Sequence, residues 1–356
     1  LGHRGYGIPR LVAQLTLSTE GILGVPLGVA ATYIYLFILL GKLLEASGAG
    51  RVVIDAAFAL TGRFSGGPAQ AAVLSSGLFG TISGSAVANV VTTGTFTIPL
   101  MRRTGYRPEI AAAVEAVASS GGQLMPPIMG AAAFVMSEYT GIPYIRIAAA
   151  AAIPAILYYL SIAVAVYLEA RRTGIRGLSE HELPRLGKTL AGGAHMFLPI
   201  VLLVYLLARG FTPMRAGVYS LALLVVLCLV RPLERLRPAD YVRVFVGAAE
   251  SARDVAVACA SAGIVIGVMT LTGLGTKLSG LVIDMSHGNL LLALVFTMLA
   301  SLILGMGLPT VACYLVLAVL VAPALTRMGA SVLAAHLFVF YFGIISAITP
   351  PVAVAA

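Results

Sequence analysis

Apolar runs long enough to cross a bilayer recur along this chain, near residues 22–45, 143–168 and 252–274, with a closely spaced pair at 195–209 and 215–230. A hydrocarbon layer about 30 Å thick takes about 20 residues of helix, and lipid offers a bare backbone no hydrogen bonds. The chain must therefore fold as helices that satisfy their own amides. Composition agrees: 59% of the 356 residues are hydrophobic and 10% charged, against roughly 25% charged in a soluble domain. The pair at 195–230 is short for spanning, and the turn ARGFTPMRAG between its halves marks a helical hairpin.

The opening LGHRGYGIPRLVAQL is basic and Gly-rich and lacks the apolar core and cleavage site of a signal peptide. Residues 1–21 read as an amphipathic interfacial arm, and the absence of an initiating Met gives the look of an internal fragment. Cys228, Cys259 and Cys313 lie in apolar segments without metal-ligand spacing and read as small hydrophobes. The net charge of +9 comes from basic residues flanking the spans, so it signals membrane topology and not nucleic-acid binding. By the positive-inside rule the loops at 171–188 and 231–243, together with RRTGYRPE at 102–109, are expected in the cytoplasm.

Between Gly66 and Met101 an apolar, small-residue stretch is interrupted at FGTISGSAVANVVTTGT. Its arms of about 13 to 16 residues are nearer half a span than a whole one. A re-entrant hairpin is expected there, with two full spans as the competing reading. At an offset of 224 residues, Pro126–Pro127 falls on Pro350–Pro351, Pro99 on Pro323, Arg103 on Arg327, Gly105 on Gly329 and Val87–Ala88 on Val311–Ala312. The chain reads as a duplicated unit.

The crossings 22–45, 107–138, 143–168, 195–209 and 215–230 lie between the start of the span at 22–45 and the start of its counterpart at 252–274. Their number is odd, which turns the second copy upside down. The fold class expected is thus an all-α integral membrane protein with an inverted-repeat, ion-transporter-like fold, two re-entrant helical hairpins and two broken transmembrane helices. The first repeat covers 22–170, with hairpin 66–101 and broken helix 107–138. Cytoplasmic loops and the connecting pair 195–230 fill 171–246. The second repeat covers 247–356, with hairpin 289–326 and broken helix 332–356.

Non-helical backbone at membrane depth is tolerated only where it is buried in protein or lines a wet cavity. The breaks at Ser83–Ser85, Gly121–Pro127, Gly305–Pro309 and Thr349–Pro351 therefore need partners, and a monovalent cation on freed carbonyls and hydroxyls would supply them. Asn89, Thr92, Thr93 and Thr95 follow the first tip. Ser119, Ser120 and Gln123 precede the first doublet, Pro126 and Pro127, which answers Pro350 and Pro351. Small residues also let helices pack closely, as in GVPLG at 24–28 or GIVIG at 263–267. Packing alone does not call for twin breaks at twin positions. Glu115 lies between apolar residues in the crossing that leads to the first break, where ionisable groups are costly. It is read either as functional or as snorkelling to pair with an arginine.

Nothing points to an enzyme. HELPR at 181–185 lacks the second His of a zinc-protease helix, GTISGS at 80–85 has no strand before it, and a P-loop is missing. An ion gradient is the expected energy source.

SGLFGTISGSAVANVVTTGTFTIPLMRRTGYRPEIAAAVEAVASSGGQLMPPIMGAAAF, followed by GMGLPTVACYLV and ITPPVAVAA, closely resembles the large membrane (M) subunit of TRAP transporters, the tripartite ATP-independent periplasmic carriers. The fit is best to the fused-permease branch that works with TAXI-type binding proteins. The resemblance implies a sodium-driven elevator in the bacterial inner membrane, to which a periplasmic binding protein delivers an organic acid anion. A small membrane subunit or fused N-terminal domain is the implied membrane partner. No cofactor is implied beyond Na+ as coupling ion, the one metal expected. By matching position, one sodium would lie near Ser83, Ser85, Asn89, Gly122 and Met125, and another near Gly305, Gly307, Thr310, Ile348 and Thr349. The substrate would sit between the tips, with Ser85, Asn89, Thr92 and Gln123 as its candidates. The runner-up is a receptor-independent sodium/dicarboxylate symporter. A passive channel would need a ring of charged residues to line its pore, and the sequence offers none.

Overall fold

The computed structural model describes residues 5–179, 181, 183–230 and 236–356. Parts of the arm 1–21, of the loop 171–188 with its HELPR run and of the loop 231–243 lie outside the described residues. Among the described residues every regular element is helical. The order opens with α1 (Ile8–Thr16) and α2 (Val25–Val29), the latter continuing through a π turn at Ala30–Ile34 into α3 (Tyr35–Ala46). Then come α4 (Ala49–Thr61), α5 (Gly67–Ser83), α6 (Ala86–Arg103), α7 (Pro108–Gly121), α8 (Ala131–Thr140) and α9 (Tyr144–Thr173). They are followed by α10 (Leu186–Gly193), α11 (Leu198–Ala208), α12 (Pro213–Val230), α13 (Pro238–Thr272) and α14 (Leu274–Met285). The last four are α15 (Leu290–Gly305), α16 (Thr310–Leu320), α17 (Ala322–Arg327) and α18 (Val332–Ile345), with a short 3-10 turn at Ser346–Ile348.

Six helical segments are long and apolar enough to cross a membrane: Val25–Ala46, Tyr144–Thr173, Leu186–Ala208, Pro213–Val230, Pro238–Thr272 and Thr310–Arg327. Three of them depart from the sequence reading. Thr310–Arg327 falls where the second arm of the hairpin 289–326 was expected, and the span expected at 252–274 begins at Pro238. The crossing expected at 195–209 begins at Leu186, because a 3-10 turn at Ala194–Phe197 carries α10 into α11 without interruption, giving 23 residues. Lys188 and the glycines 187, 192 and 193 dilute the hydropathy there without stopping the helix. The large apolar side chains Ile153, Ile156, Leu157, Leu160, Val164 and Leu168 of α9 are exposed at three- and four-residue spacing. Such a stripe matches a lipid-facing helix. In α13 the charges Asp240, Arg243, Glu250, Arg253 and Asp254 all fall in the first half, and Val255–Thr272 carries none.

The chain forms two compact units. One holds the chain up to Tyr35, Ala131–Ile147 and Glu250–Ala353; the other holds Leu36–Gly130, Ala148–Ala249 and Val354–Ala356. In the second unit α5 is the centre, packed against α4, α6 and α7. Its residues Ala69, Ala71, Ala72, Ser75 and Ser76 are all fully buried. Side chains this small bring neighbouring backbones close. In the first unit α16 takes that place, almost wholly buried against α8, α14, α15, α17 and α18.

Backbone conformations recur at the 224-residue offset. Gly105 and Gly329 have φ of 105° and 99°, and Met129 and Ala353, neither of them glycine, have φ of 61° and 41°. Both proline doublets, Pro126–Pro127 and Pro350–Pro351, are cis.

Candidate functional site

Helix α5 stops at Ser83 because Gly84 takes a left-handed conformation, φ 62°, that closes its last turn through a bond from Gly84 N to Gly80 O. Ser85 then caps α6: its backbone is extended and its Oγ accepts from Ala88 N at 3.3 Å. The arms of this hairpin have 17 and 18 residues, longer than the sequence suggested, because Gly67 and the arginine pair 102–103 belong to the helices.

The break after α7 has a different construction. From Ser119 to Gly122 each carbonyl accepts from the amide three residues on, ending with Met125 N to Gly122 O at 3.2 Å. Beyond that the two prolines have no amide to offer. Gly130 N returns to Gln123 O at 2.9 Å and closes the loop.

Close backbone contacts join this break to the tip of the hairpin. A Cβ on Gly122 would lie 2.5 Å from Gly80 Cα, and one on Gly130 would meet both Gln123 Oε1 and Gly84 O at 3.4 Å. Asn89 is fully buried and donates its Nδ2 to Ser76 O at 2.8 Å. The structure thus brings Ser83, Ser85, Asn89, Gly122, Gln123 and Met125 into one neighbourhood. Thr92 takes another direction: its hydroxyl is bonded to Ala88 O at 2.9 Å and faces Glu45 Oε1 at 3.4 Å. Gln123 is 1% exposed, and its Oε1 has no hydrogen-bond partner among the described residues. A buried acceptor in that state costs about 1–3 kcal/mol.

In the first unit Gly305 ends α15, Gly307 is left-handed at φ 73°, and Pro309 precedes Thr310 at the start of α16. A Cβ on Gly305 would lie 2.4 Å from Ser346 Oγ and 2.7 Å from Cys313 Sγ, and one on Gly307 would lie 3.4 Å from Val352 Cγ1. This tip is therefore seated on the segment that contains Ile348 and Thr349. Thr349 turns its hydroxyl back to Ile345 O at 2.8 Å, and its carbonyl accepts from Ala353 N at 3.2 Å.

Glu115 neither snorkels nor pairs with an arginine. It is fully buried in α7 and has no ion pair among the described residues. Its Oε1 accepts from Ser76 Oγ at 2.7 Å, from Ser119 Oγ at 3.1 Å and from the Thr93 hydroxyl. Its Oε2 accepts from Thr97 Oγ1 at 2.6 Å. Gly94 makes room, since a Cβ there would press on Glu115 Cγ at 3.2 Å. Of these partners Ser76 and Thr97 escaped the sequence reading. The four-residue spacing of Asn89, Thr93 and Thr97 on one helical face could have revealed Thr97; Ser76 left no signal.

Apolar helices of bilayer length with lipid-type exposed faces define an integral, multi-pass membrane protein. Comparison with known families then places it: residues 8–356 match the family described as "Tripartite ATP-independent periplasmic transporter, DctM component", and the chain belongs to that family of transporter permeases. It is 26% identical to the 2,3-diketo-L-gulonate TRAP transporter large permease protein YiaN of Escherichia coli, over 89% of this chain and 74% of that protein. The C4-dicarboxylate TRAP transporter large permease protein DctM of Pseudomonas aeruginosa is 31% identical over 52% of this chain and 42% of its own length. The isethionate TRAP transporter permease protein DctMQ of Oleidesulfovibrio alaskensis is 24% identical over 96% of this chain and 52% of its own.

Proposed function

We propose that this chain is the membrane permease component of a sodium-coupled secondary transporter that imports an organic acid anion delivered by a periplasmic binding protein. The names of the relatives support the substrate class, since 2,3-diketo-L-gulonate, C4-dicarboxylates and isethionate are all small organic anions. A binding protein of the TAXI type, a small membrane subunit or fused N-terminal domain, and the bacterial inner membrane complete the reading.

The observation that carries it is the orphaned Gln123 Oε1, buried beside a helix that ends at Ser83 and another that ends at Gly121. Each carbonyl at these ends has a second lone pair, and the helix macrodipole makes such ends partly negative. That donor set, all oxygen and uncharged, suits a monovalent hard cation. Ser83, Ser85, Asn89, Gly122 and Met125 would hold one sodium, and Gly305, Gly307, Thr310, Ile348 and Thr349 a second. Ser85, Asn89, Thr92 and Gln123 are proposed to face the substrate. The recurrence of φ at Gly105 and Gly329 and at Met129 and Ala353 supports a repeated unit; an inverted arrangement with paired re-entrant hairpins, on which an elevator motion is built, is part of the proposal.

Uptake into proteoliposomes tests the proposal. Accumulation is expected only when an inward sodium gradient and the cognate binding protein are both present. Accumulation without the binding protein favours the receptor-independent symporter instead, and uptake with no counterflow stimulation would indicate a channel.

A further inference from the structure

We propose that Glu115 is a proton-binding site: an intramembrane carboxyl group that takes up and releases one proton within a shell formed by Ser76, Thr93, Thr97 and Ser119. Each of these hydroxyls has one proton to give and lone pairs to receive. With Glu115 ionised, all four donate to its carboxylate. With Glu115 protonated, its Oε1–H donates to Thr93 Oγ1, while Thr97 goes on donating to Oε2 at 2.6 Å. Thr93 turns its own proton to Asn89 O at 2.8 Å, Ser76 turns to Thr93 Oγ1 at 3.0 Å, and Ser119 goes on donating to Oε1. Every donor and acceptor is satisfied in both states. One proton can therefore come and go by hydroxyl rotation alone, with no side chain leaving its place. The hydroxyls touch the carboxylate directly, which leaves no gap for a metal ion.

The duplicated copy shows that the packing does not require an acid here. At the 224-residue offset Thr93, Thr97, Glu115 and Ser119 correspond to Leu317, Val321, Val339 and Gly343, all buried. The same helix contact is built there from apolar side chains and a glycine. Among the described residues no neighbouring charge neutralises Glu115 either. Helix α5 has no titratable side chain, and α6 has only Arg102 and Arg103 in its last turn. Helix α7 adds Glu109 in its first turn, paired with Arg107 at 3.4 Å. Helix α9 presents Tyr158 and Tyr159, whose hydroxyls donate to Val117 O and Ala118 O, each at 2.7 Å.

One consequence rests on the cation reading given under Proposed function. Thr93 Oγ1 stands 2.8 Å from Asn89 O and 3.3 Å from Asn89 Oδ1. When Glu115 is ionised the Thr93 proton is turned away and the Thr93 hydroxyl engages neither oxygen, leaving a lone pair on each for a cation. When Glu115 is protonated, Thr93 uses one of them. Proton and sodium then oppose each other.

Infrared difference spectroscopy of the full chain in lipid, cycled between acid and alkaline buffer, tests this. Expected is a protonated-carboxyl C=O band that comes and goes reversibly, loses one component in Glu115→Gln and moves to higher frequency in Thr97→Val, where the carbonyl oxygen Oε2 has lost its donor. Thr97→Val keeps the acid and nearly the volume, so it decides even if Glu115→Gln does not fold. A band that is the same in the wild type and Thr97→Val overturns the proton site. At fixed intermediate pH, sodium chloride should diminish the Glu115 component and choline chloride should not. A component present but indifferent to sodium overturns the antagonism and leaves the proton site standing.

Discussion

Gly80 and Gly122 meet backbone against backbone: a Cβ built on Gly80 would lie 2.6 Å from Gly122 Cα, and one built on Gly122 would lie 2.5 Å from Gly80 Cα. The hairpin and the broken helix are thus locked at their ends by two missing side chains.

Gly80→Ala should gain up to about 1 kcal/mol of helix propensity and lose more, since overpacking a close contact costs about 1–3 kcal/mol. Lower melting temperature in detergent and loss of uptake are expected. Gly247→Ala in α13, with nothing within 4 Å of the added Cβ, should leave melting unchanged or raise it.

Gln123→Leu removes the orphaned acceptor. The variant should melt at the same or a higher temperature, because an unpaired buried polar atom costs about 1–3 kcal/mol, while sodium-dependent uptake falls at least tenfold. A variant that is both less stable and fully active would contradict the assignment of Gln123.

Sodium itself should stabilise the folded chain. At 100 times its dissociation constant a ligand that binds only the native state contributes about 2.7 kcal/mol. Melting in sodium chloride should exceed melting in equimolar choline chloride.

In the first unit Tyr314 is fully buried with its hydroxyl 2.9 Å from His336 Nδ1. Tyr314→Phe strands that nitrogen and should cost about 1–3 kcal/mol, read as a lower melting temperature. His336→Leu alongside it should recover part of the loss, since both partners are then apolar.

The legible parts of the sequence were those written in local signals. Gly84 and Ser85 mark a helix stop and a cap, and two proline doublets mark breaks, because each acts on its own backbone. Span positions followed from hydropathy, except where Lys188 and Gly192–Gly193 diluted it although α10 and α11 run on through a 3-10 turn. Side-chain direction was less accessible. Thr92 belongs to the same run of hydroxyl residues as Thr93, yet it faces Glu45 while Thr93 faces Glu115. Ser76 meets Glu115 across 39 residues of sequence, and no periodic pattern encodes such a meeting.

Helix α13 runs for 35 residues, or about 50 Å at 1.5 Å per residue, against a hydrocarbon layer of about 30 Å. Its charge-free half, Val255–Thr272, begins just past Arg253 and Asp254, which clasp each other at 2.8 Å. That half comes to about 27 Å, so it alone matches the hydrocarbon, and the charged half calls for water or headgroups around it.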